Sequence, residues 1–247
     1  MHKYNGTYFQ IDGLDGVGKG TIIVALTDYE KSKGKKIFDL DAYQKQHNSF
    51  PAHKGLLDAD TIFCSEPTYC GVGLAIRDLL INSRSPIAFS AISIAEAFAL
   101  DRRILLESAV IPALKAGKTI IQSRGVASSL VYQPVQAKLK GEEITEKNIL
   151  NIEGNKFELE NAPNFLVIPT IKNPDELLDR LSNREKKDDS IFDNVRYQME
   201  FKPRYESKWL RDIFETGGTA VKYLDAGISV ESTREQIVEI WEGFLKI

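Results

Sequence analysis

Six short runs of apolar and β-branched residues punctuate the chain, at Tyr8 to Asp12, Lys36 to Leu40, Thr61 to Ser65, Lys118 to Ser123, Asn164 to Pro169 and Ala220 to Leu224. Helical spacing fills the intervals between them. This alternation predicts βα units on a parallel sheet and argues against a barrel or a bundle. Thr119-Ile120-Ile121 and Phe165-Leu166-Val167-Ile168 are apolar on consecutive positions, as strands covered on both faces require. The longest helical pattern runs from about Ile87 to Ala116 and is closed by Gly117, with Pro112 placed to bend its last turn. Near the C-terminus, Ile237, Ile240, Trp241 and Phe244 share one face of a helix over Ser229 to Phe244, a core-packing pattern. Tyr43 to Asp60 is polar, with Pro51 and Gly55, and predicts a loop, an inserted excursion over 42–60. The expected fold is a single α/β domain over 1–247, a parallel sheet of about five strands with helices on both faces.

Composition narrows the class. With 247 residues, 43% hydrophobic and 27% charged, the chain suits one globular domain. The longest apolar stretch, Ile87 to Leu100, is broken by Ser90, Ser93 and Glu96, so no membrane span is expected. The start, MHKYNGTYFQ, has no apolar core behind its positive charge, and two cysteines do not make a disulfide scaffold, which together predict a cytoplasmic protein. A net charge of -3 gives no field for a nucleic-acid backbone, so no nucleic-acid partner is expected. His2, His47 and His53 show no metal-ligand spacing.

Chemistry enters at the exit of the first strand, where Asp12-Gly13-Leu14-Asp15-Gly16-Val17-Gly18-Lys19-Gly20-Thr21 leads into a helical pattern. Glycines let consecutive N–H groups curl around phosphate oxygens, the helix presents its positive end, and Lys19 neutralises the distal phosphates. The phosphate-loop template is met at Gly13, Gly18 and Lys19, with Gly20-Thr21 in place of an immediate hydroxyl. A dinucleotide fold fails on spacing, because its third glycine would fall on Thr21.

Three further segments fall at the carboxyl ends of strands or on the helix facing them, the edge where open α/β sheets bind ligands. These are Ser65-Glu66-Pro67-Thr68-Tyr69 followed by Arg77, then Phe98-Ala99-Leu100-Asp101-Arg102, then Ser123-Arg124-Gly125 through Gln133. Phe98 and Arg102 are four apart and share a helix face, offering a planar base an aromatic surface and a donor; Phe98 as plain core is the competing reading. From Arg180 to Arg204 the chain carries a dense mix of charges, read either as a solvated surface helix or as a lid over phosphates.

Together these segments resemble the thymidylate kinase family: FQIDGLDGVGKGT, the Glu-Pro segment with Arg77, FALDR, VIPALKAGKTII, SRGVASSLVYQ, the arginines Arg180 and Arg184, and YLDAGISVEST follow the family's order over most of the chain. The resemblance implies transfer of a phosphoryl group from ATP, with magnesium, to dTMP. It implies that Gly13, Asp15, Gly16, Val17, Gly18, Lys19, Gly20, Thr21, Arg180 and Arg184 hold ATP, with Thr21 near the metal. Asp15 would accept from the deoxyribose 3'-hydroxyl, Arg77 and Arg124 would hold the acceptor phosphate, and Phe98 would stack on thymine while Arg102 donates to its carbonyl. Glu66, Pro67, Ser129 and Gln133 would complete the acceptor wall, and Tyr132 would crowd the sugar's 2' position. The catalytic set would be Lys19, Arg124, Asp15 and a lid cation, Arg184 supported by Lys186 or Lys187. The resemblance also implies a homodimer.

Several positions depart from the family's usual pattern. Ser123-Arg124-Gly125 replaces Asp-Arg-Tyr, Ser65 replaces an Arg, Thr68-Tyr69 replaces a glycine pair, and Asp188-Asp189 replaces an Asp-Arg pair. Two alternatives follow from them: a kinase of the same fold acting on another deoxynucleoside monophosphate or a deoxynucleoside, and a nucleotide-binding protein without catalysis.

Overall fold

The computed structural model describes residues 3–173, 176–177, 180 and 195–245. All six predicted runs form strands: β1 (Thr7–Ile11), β2 (Ile37–Asp39), β3 (Thr61–Ser65), β4 (Thr119–Ser123), β5 (Phe165–Thr170) and β6 (Ala220–Asp225). They make one parallel sheet in the order β2-β3-β4-β1-β5-β6. The centre is β1, flanked by β4 and β5, so the phosphate loop leaves the middle of the sheet.

Strand parity sorts the core onto two faces. Tyr8, Ile62, Cys64 and Ile120 pack with Leu105, Leu106 and Val110 on one face; Phe9, Ile11, Phe63 and Ile121 pack with Ile22, Leu26, Ile237 and Trp241 on the other. The helix closing the chain, Val230–Phe244, starts at a Ser229 cap and buries Ile237 and Trp241, as its spacing predicts. Trp241 Nε1 donates to Glu30 Oε1 at 2.9 Å, which gives the indole its polar partner inside the core. Among the described residues no helix is long and apolar enough to cross a membrane.

The long helix begins later than its pattern predicts. Its first segment α5 covers Ala91–Leu105, because Pro86 lies just upstream and Ser90 Oγ caps Ser93 N at 3.2 Å. A π-helical turn, Leu106–Val110, precedes the last segment α6 (Ile111–Lys115), which carries Pro112 at its start. The proline lacks an N–H and would clash with the carbonyl four residues back; widening the preceding turn relieves both.

The 42–60 excursion is not the loop its polarity predicts. It folds into α2 (Leu40–His47) and α3 (His53–Leu57). Asp39 caps the first of these by accepting from Ala42 N at 2.9 Å, and Leu40 and Gln44, four apart, are its buried positions. A helix of eight residues with only two buried side chains has too short an amphipathic stripe to show in the sequence.

Candidate active site

Helix α1 (Lys19–Ser32) starts where Gly18, at φ 101°, turns the chain in the left-handed region, a conformation that favours glycine. Lys19 Nζ donates to Gly13 O (2.9 Å) and Leu14 O (2.6 Å) and lies 3.8 Å from the Asp15 carboxylate, so the cation sits inside the curl of the loop. Asp15 in turn pairs with Arg124, while Tyr132 Oη and Gln198 Nε2 donate to its other oxygen at 3.3 and 3.4 Å. Arg124 lies just past the end of β4, next to β1, and is held at φ 67° by its N–H on Ile11 O at 2.8 Å. A non-glycine residue in that region is uncommon, and such strain concentrates at functional sites. Burial works against the Arg124 guanidinium, but Asp15 outweighs it and raises its pKa well above the ordinary value.

Of the residues the resemblance assigns to the acceptor, Glu66, Arg102, Ser129 and Gln133 lie in a buried polar network. Arg102, 1% exposed, donates to Glu66 Oε2 at 2.7 Å, Ser129 Oγ at 3.0 Å and Asn155 Oδ1, and pairs with Glu158 Oε2 at 2.6 Å. Gln122 Nε2 donates to Glu66 Oε1 at 3.1 Å and Gln10 Nε2 to Glu158 Oε1 at 2.8 Å; Tyr8 Oη closes the chain on Gln122 Oε1 at 2.9 Å. Burial pushes both glutamates above the usual carboxylate range, and the Arg102 charge between them opposes that shift. The guanidinium expected to meet a base carbonyl is therefore spent on four protein side chains. Its position follows from the network: a buried cation flanked by two carboxylates turns toward them.

Phe98 is half-buried beside the main core, one turn before Arg102 on α5. Ser129 and Gln133 lie on helix α7 (Val126–Leu139), with Gln133 Nε2 donating to Ser129 Oγ at 3.2 Å and its Oε1 buried without a hydrogen-bond partner. Tyr132 is packed at 4.1 Å between ring centroids against Phe201 and is 4% exposed; its hydroxyl reaches Asp15 and the Arg124 guanidinium lies 5.4 Å from its ring centroid. Arg77 donates through Nε to Pro67 O (3.1 Å) and Thr68 O (3.2 Å) and lies 3.8 Å over the Tyr69 ring. Arg180 donates to Ala226 O at 2.8 Å and pairs with Glu176, at the end of β6. Arg184, Lys186, Lys187 and Asp188-Asp189 lie outside the described residues.

The tail of the charged run is not a solvated surface helix. The helix Val195–Tyr205 docks on the phosphate loop through buried Gln198 and Tyr205 and on α7 through buried Phe201. Gln198 Oε1 accepts from Asp15 N at 3.1 Å, and Tyr205 Oη donates to Asp12 Oδ1 at 2.8 Å. Its anchoring residues are uncharged and hide in a run of twelve charged residues from Arg180 to Arg204, which is why composition pointed outward. Asp12, Ser128, Gln10 and Gln122 also escaped sequence reasoning. Asp12 accepts from Gly13 N (2.8 Å), Gly125 N (3.0 Å), Ser128 N (3.0 Å) and Ser128 Oγ (2.6 Å), tying the phosphate loop to the start of α7. The signal for the glutamines was available: Gln10 and Gln122 each sit one residue before the last of a strand, directly after Tyr8-Phe9 and Ile120-Ile121, and the register pairs them.

Gly125, where the resemblance leads one to expect Tyr, has a steric explanation. A Cβ there would collide with Gln10 Nε2 and come 2.5 Å from Glu158 Oε1. The buried network occupies the space an aromatic side chain would need.

Comparison with known proteins agrees with this geometry. The family description "Thymidylate kinase" matches residues 54–237. A thymidylate kinase of Caldicellulosiruptor saccharolyticus is 28% identical over 185 residues, 74% of this chain and 73% of that protein. One from Ligilactobacillus salivarius is 24% identical over 240 residues, 97% and 99% of the two chains. The solved structure of thymidylate kinase from Candida albicans superposes with a TM-score of 0.63 at 19% identity, covering 96% of this chain and 92% of that one. A phosphate loop at the centre of a parallel sheet, an ion pair from Asp15 of that loop to Arg124 beyond β4, and a family match across 54–237 lead to one conclusion: the chain belongs to the thymidylate kinase family.

Proposed function

We propose that the protein transfers the terminal phosphoryl group of ATP to dTMP, giving ADP and dTDP. The observation that carries this reading is the Asp15–Arg124 ion pair, which joins the phosphate loop to the acceptor wall where β1 and β4 run side by side. Phosphoryl transfer asks mainly for alignment and positive charge at the junction of donor and acceptor. Lys19 and the amides at the start of α1 would take the ATP phosphates, Lys19 exchanging its bonds to Gly13 O and Leu14 O for phosphate oxygens. Arg180, beside Ala226, would face the nucleotide from the other side of the loop, with Arg184 as the further cation. Arg124 would meet the acceptor phosphate and Asp15 the sugar hydroxyl, Tyr132 holding that carboxylate in place. Phe98 would stack on the base, Gln133 Oε1 would accept from its ring N–H, and Arg77 would approach the acceptor phosphate from the Glu66-Pro67 loop. Arg102 acts as a positioning residue that fixes Glu66 and Ser129.

Magnesium fits this site as a phosphate-borne ion. Asp12 is saturated by loop, helix and tyrosine donors, and Asp15 is paired, which leaves Thr21 as the oxygen ligand at the start of α1. Bound with ATP, the ion supplies charge neutralisation between the phosphates. The protein would act as a homodimer, which solution mass measurement checks.

The deciding assay is ADP release with ATP and magnesium across the deoxynucleoside monophosphates, UMP and thymidine, with Lys19→Ala as the blank. Turnover strongest on dTMP is expected. One observation favours a second reading, the same chemistry on a different acceptor: the Arg102 guanidinium is already spent on the protein. Turnover strongest on another acceptor would establish it.

A further inference from the structure

The segment from Ser65 to Tyr69 carries Glu66 to Arg102 and presents the Pro67 and Thr68 carbonyls to Arg77, so its position sets two elements of the acceptor wall. Where its backbone donors go can be accounted for completely. Ser65 N donates to Asp41 Oδ1 (2.9 Å), Glu66 N to Ser123 O (3.0 Å), Thr68 N to Asp101 Oδ2 (2.7 Å) and Tyr69 N to Gln44 Oε1 (3.0 Å); Pro67 has none. The two ends of the segment are thus held by one helix, α2, the excursion that sequence alone reads as a loop. Asp41 takes a second bond from Ser65 Oγ at 2.5 Å, so both donors of Ser65 end on its carboxylate. Gln44 is 1% exposed and its Nε2 is buried without a hydrogen-bond partner. Leaving an amide donor unmet is costly, and the side chain is nevertheless buried with its oxygen on the Tyr69 amide.

We propose that α2 is a clamp on the acceptor wall, with Asp41 and Gln44 as positioning residues that fix the 65–69 segment and through it Glu66 and Arg77. Neither residue touches the phosphate loop, so the clamp governs the acceptor and leaves ATP alone. The inference rests on the kinase reading for its kinetic readout, and on the hydrogen bonds alone for its structural one.

The test uses the full chain with Asp41→Ala, Asp41→Asn and Gln44→Ala. Asp41→Ala orphans two Ser65 donors and is expected to raise the KM for dTMP about tenfold while ATP's KM moves less than about twofold. Asp41→Asn keeps one carbonyl oxygen for Ser65 N and can donate its amide to Ser65 Oγ, so it restores most of the loss. Gln44→Ala frees only the half-buried Tyr69 amide, with an increase of about threefold. Hydrogen–deuterium exchange of the 65–69 amides should quicken in the same order. Should Asp41→Ala fail to fold, Gln44→Ala carries the same split. Unchanged exchange at 65–69 in both alanine variants overturns the clamp, as does an equal rise in both KM values. If the unsubstituted protein turns over no acceptor, the kinase reading falls and exchange alone decides the clamp.

Discussion

Replacing Arg102 by Met keeps the length and bulk of the side chain and removes its charge, leaving Glu66 and Glu158 facing each other in a site of 1% exposure. Breaking a buried ion pair from one side costs about 3–5 kcal/mol, because the partner charge stays buried without compensation. Here two partners are stranded, and Ser129 and Asn155 each lose a donor as well. Against a typical total stability of about 5–15 kcal/mol this is a large fraction, and for a chain of this size it lowers Tm by about 6–20 °C. The pH dependence identifies the cause. Burial already pushes both carboxyls above their usual range, and Arg102 is the group that pulls them back. Without it their folded-state pKa values rise further above the unfolded ones. A carboxyl raised in this way stabilises the fold fully below its unfolded value, about 4.3, and loses that contribution as pH climbs through the folded value. The deficit of Arg102→Met should therefore be small near pH 4.5 and widen toward pH 8. Urea unfolding of both proteins at half-unit pH steps reads it directly. A deficit below about 1 kcal/mol, or one that stays level across that range, would refute the account of a charge-balanced network.

Four further substitutions probe the site from other sides. Lys19→Ala removes the cation held inside the phosphate loop and should cut ATP-dependent turnover on the order of 10²–10³-fold, read as ADP release with folding checked by circular dichroism. Phe98→Ala removes the stacking surface, worth about 1–3 kcal/mol, so the dTMP KM should rise about 5- to 150-fold with ATP's far less affected; equal KM values in variant and parent would end the stacking role. Tyr132→Phe deletes a 3.3 Å bond to Asp15 but keeps the packing on Phe201, and its kinetic effect should be smaller than that of either preceding variant. Gly125→Ala pushes a methyl into Gln10 and Glu158 and should lower stability by about 1–3 kcal/mol, visible as a Tm drop of about 2–12 °C.

The fold was legible because its signals are local. Consecutive apolar residues mark strands covered on both faces, and glycines followed by Lys19 at a strand exit mark the phosphate loop, so the central strand and its cradle could be placed from residues within a dozen positions of one another. Asp15, Arg124 and Tyr132 meet one another, and Ser129 and Gln133 lie together beside Arg102. What could not be read is whatever depends on partners far apart in the chain. The fate of the Arg102 charge is settled by Glu66 and Glu158, 36 positions before it and 56 after. Gln198 reaches Asp15 across 183 positions, and its helix hides three buried anchors among charges. Short helix α2 gave no periodic signal because its two critical side chains serve a neighbouring loop more than their own packing.

The departures from the family's usual residues become connected once the core is seen. Gly125 is small because Gln10 and Glu158 fill the space beside it, and those two belong to the network that holds Arg102 and Glu66. Ser65, where a cation is usual, gives both its donors to Asp41, and Asp41 belongs to the helix that also holds Tyr69, itself standing where a glycine is usual. Gly125, Ser65 and Tyr69 thus each touch a residue that answers them, the first from the interior of the sheet and the other two from α2. Changing one member alone should therefore cost more than changing the pair: restoring an aromatic at Gly125 ought to be tolerated only with Gln10 shortened, since residues in direct contact couple by about 0.5–3 kcal/mol. A double-mutant cycle on Gly125→Tyr and Gln10→Ala, followed by thermal unfolding, measures that coupling; strict additivity would mean the two positions changed independently, and the acceptor wall would then be a set of separate substitutions rather than one rebuilt surface.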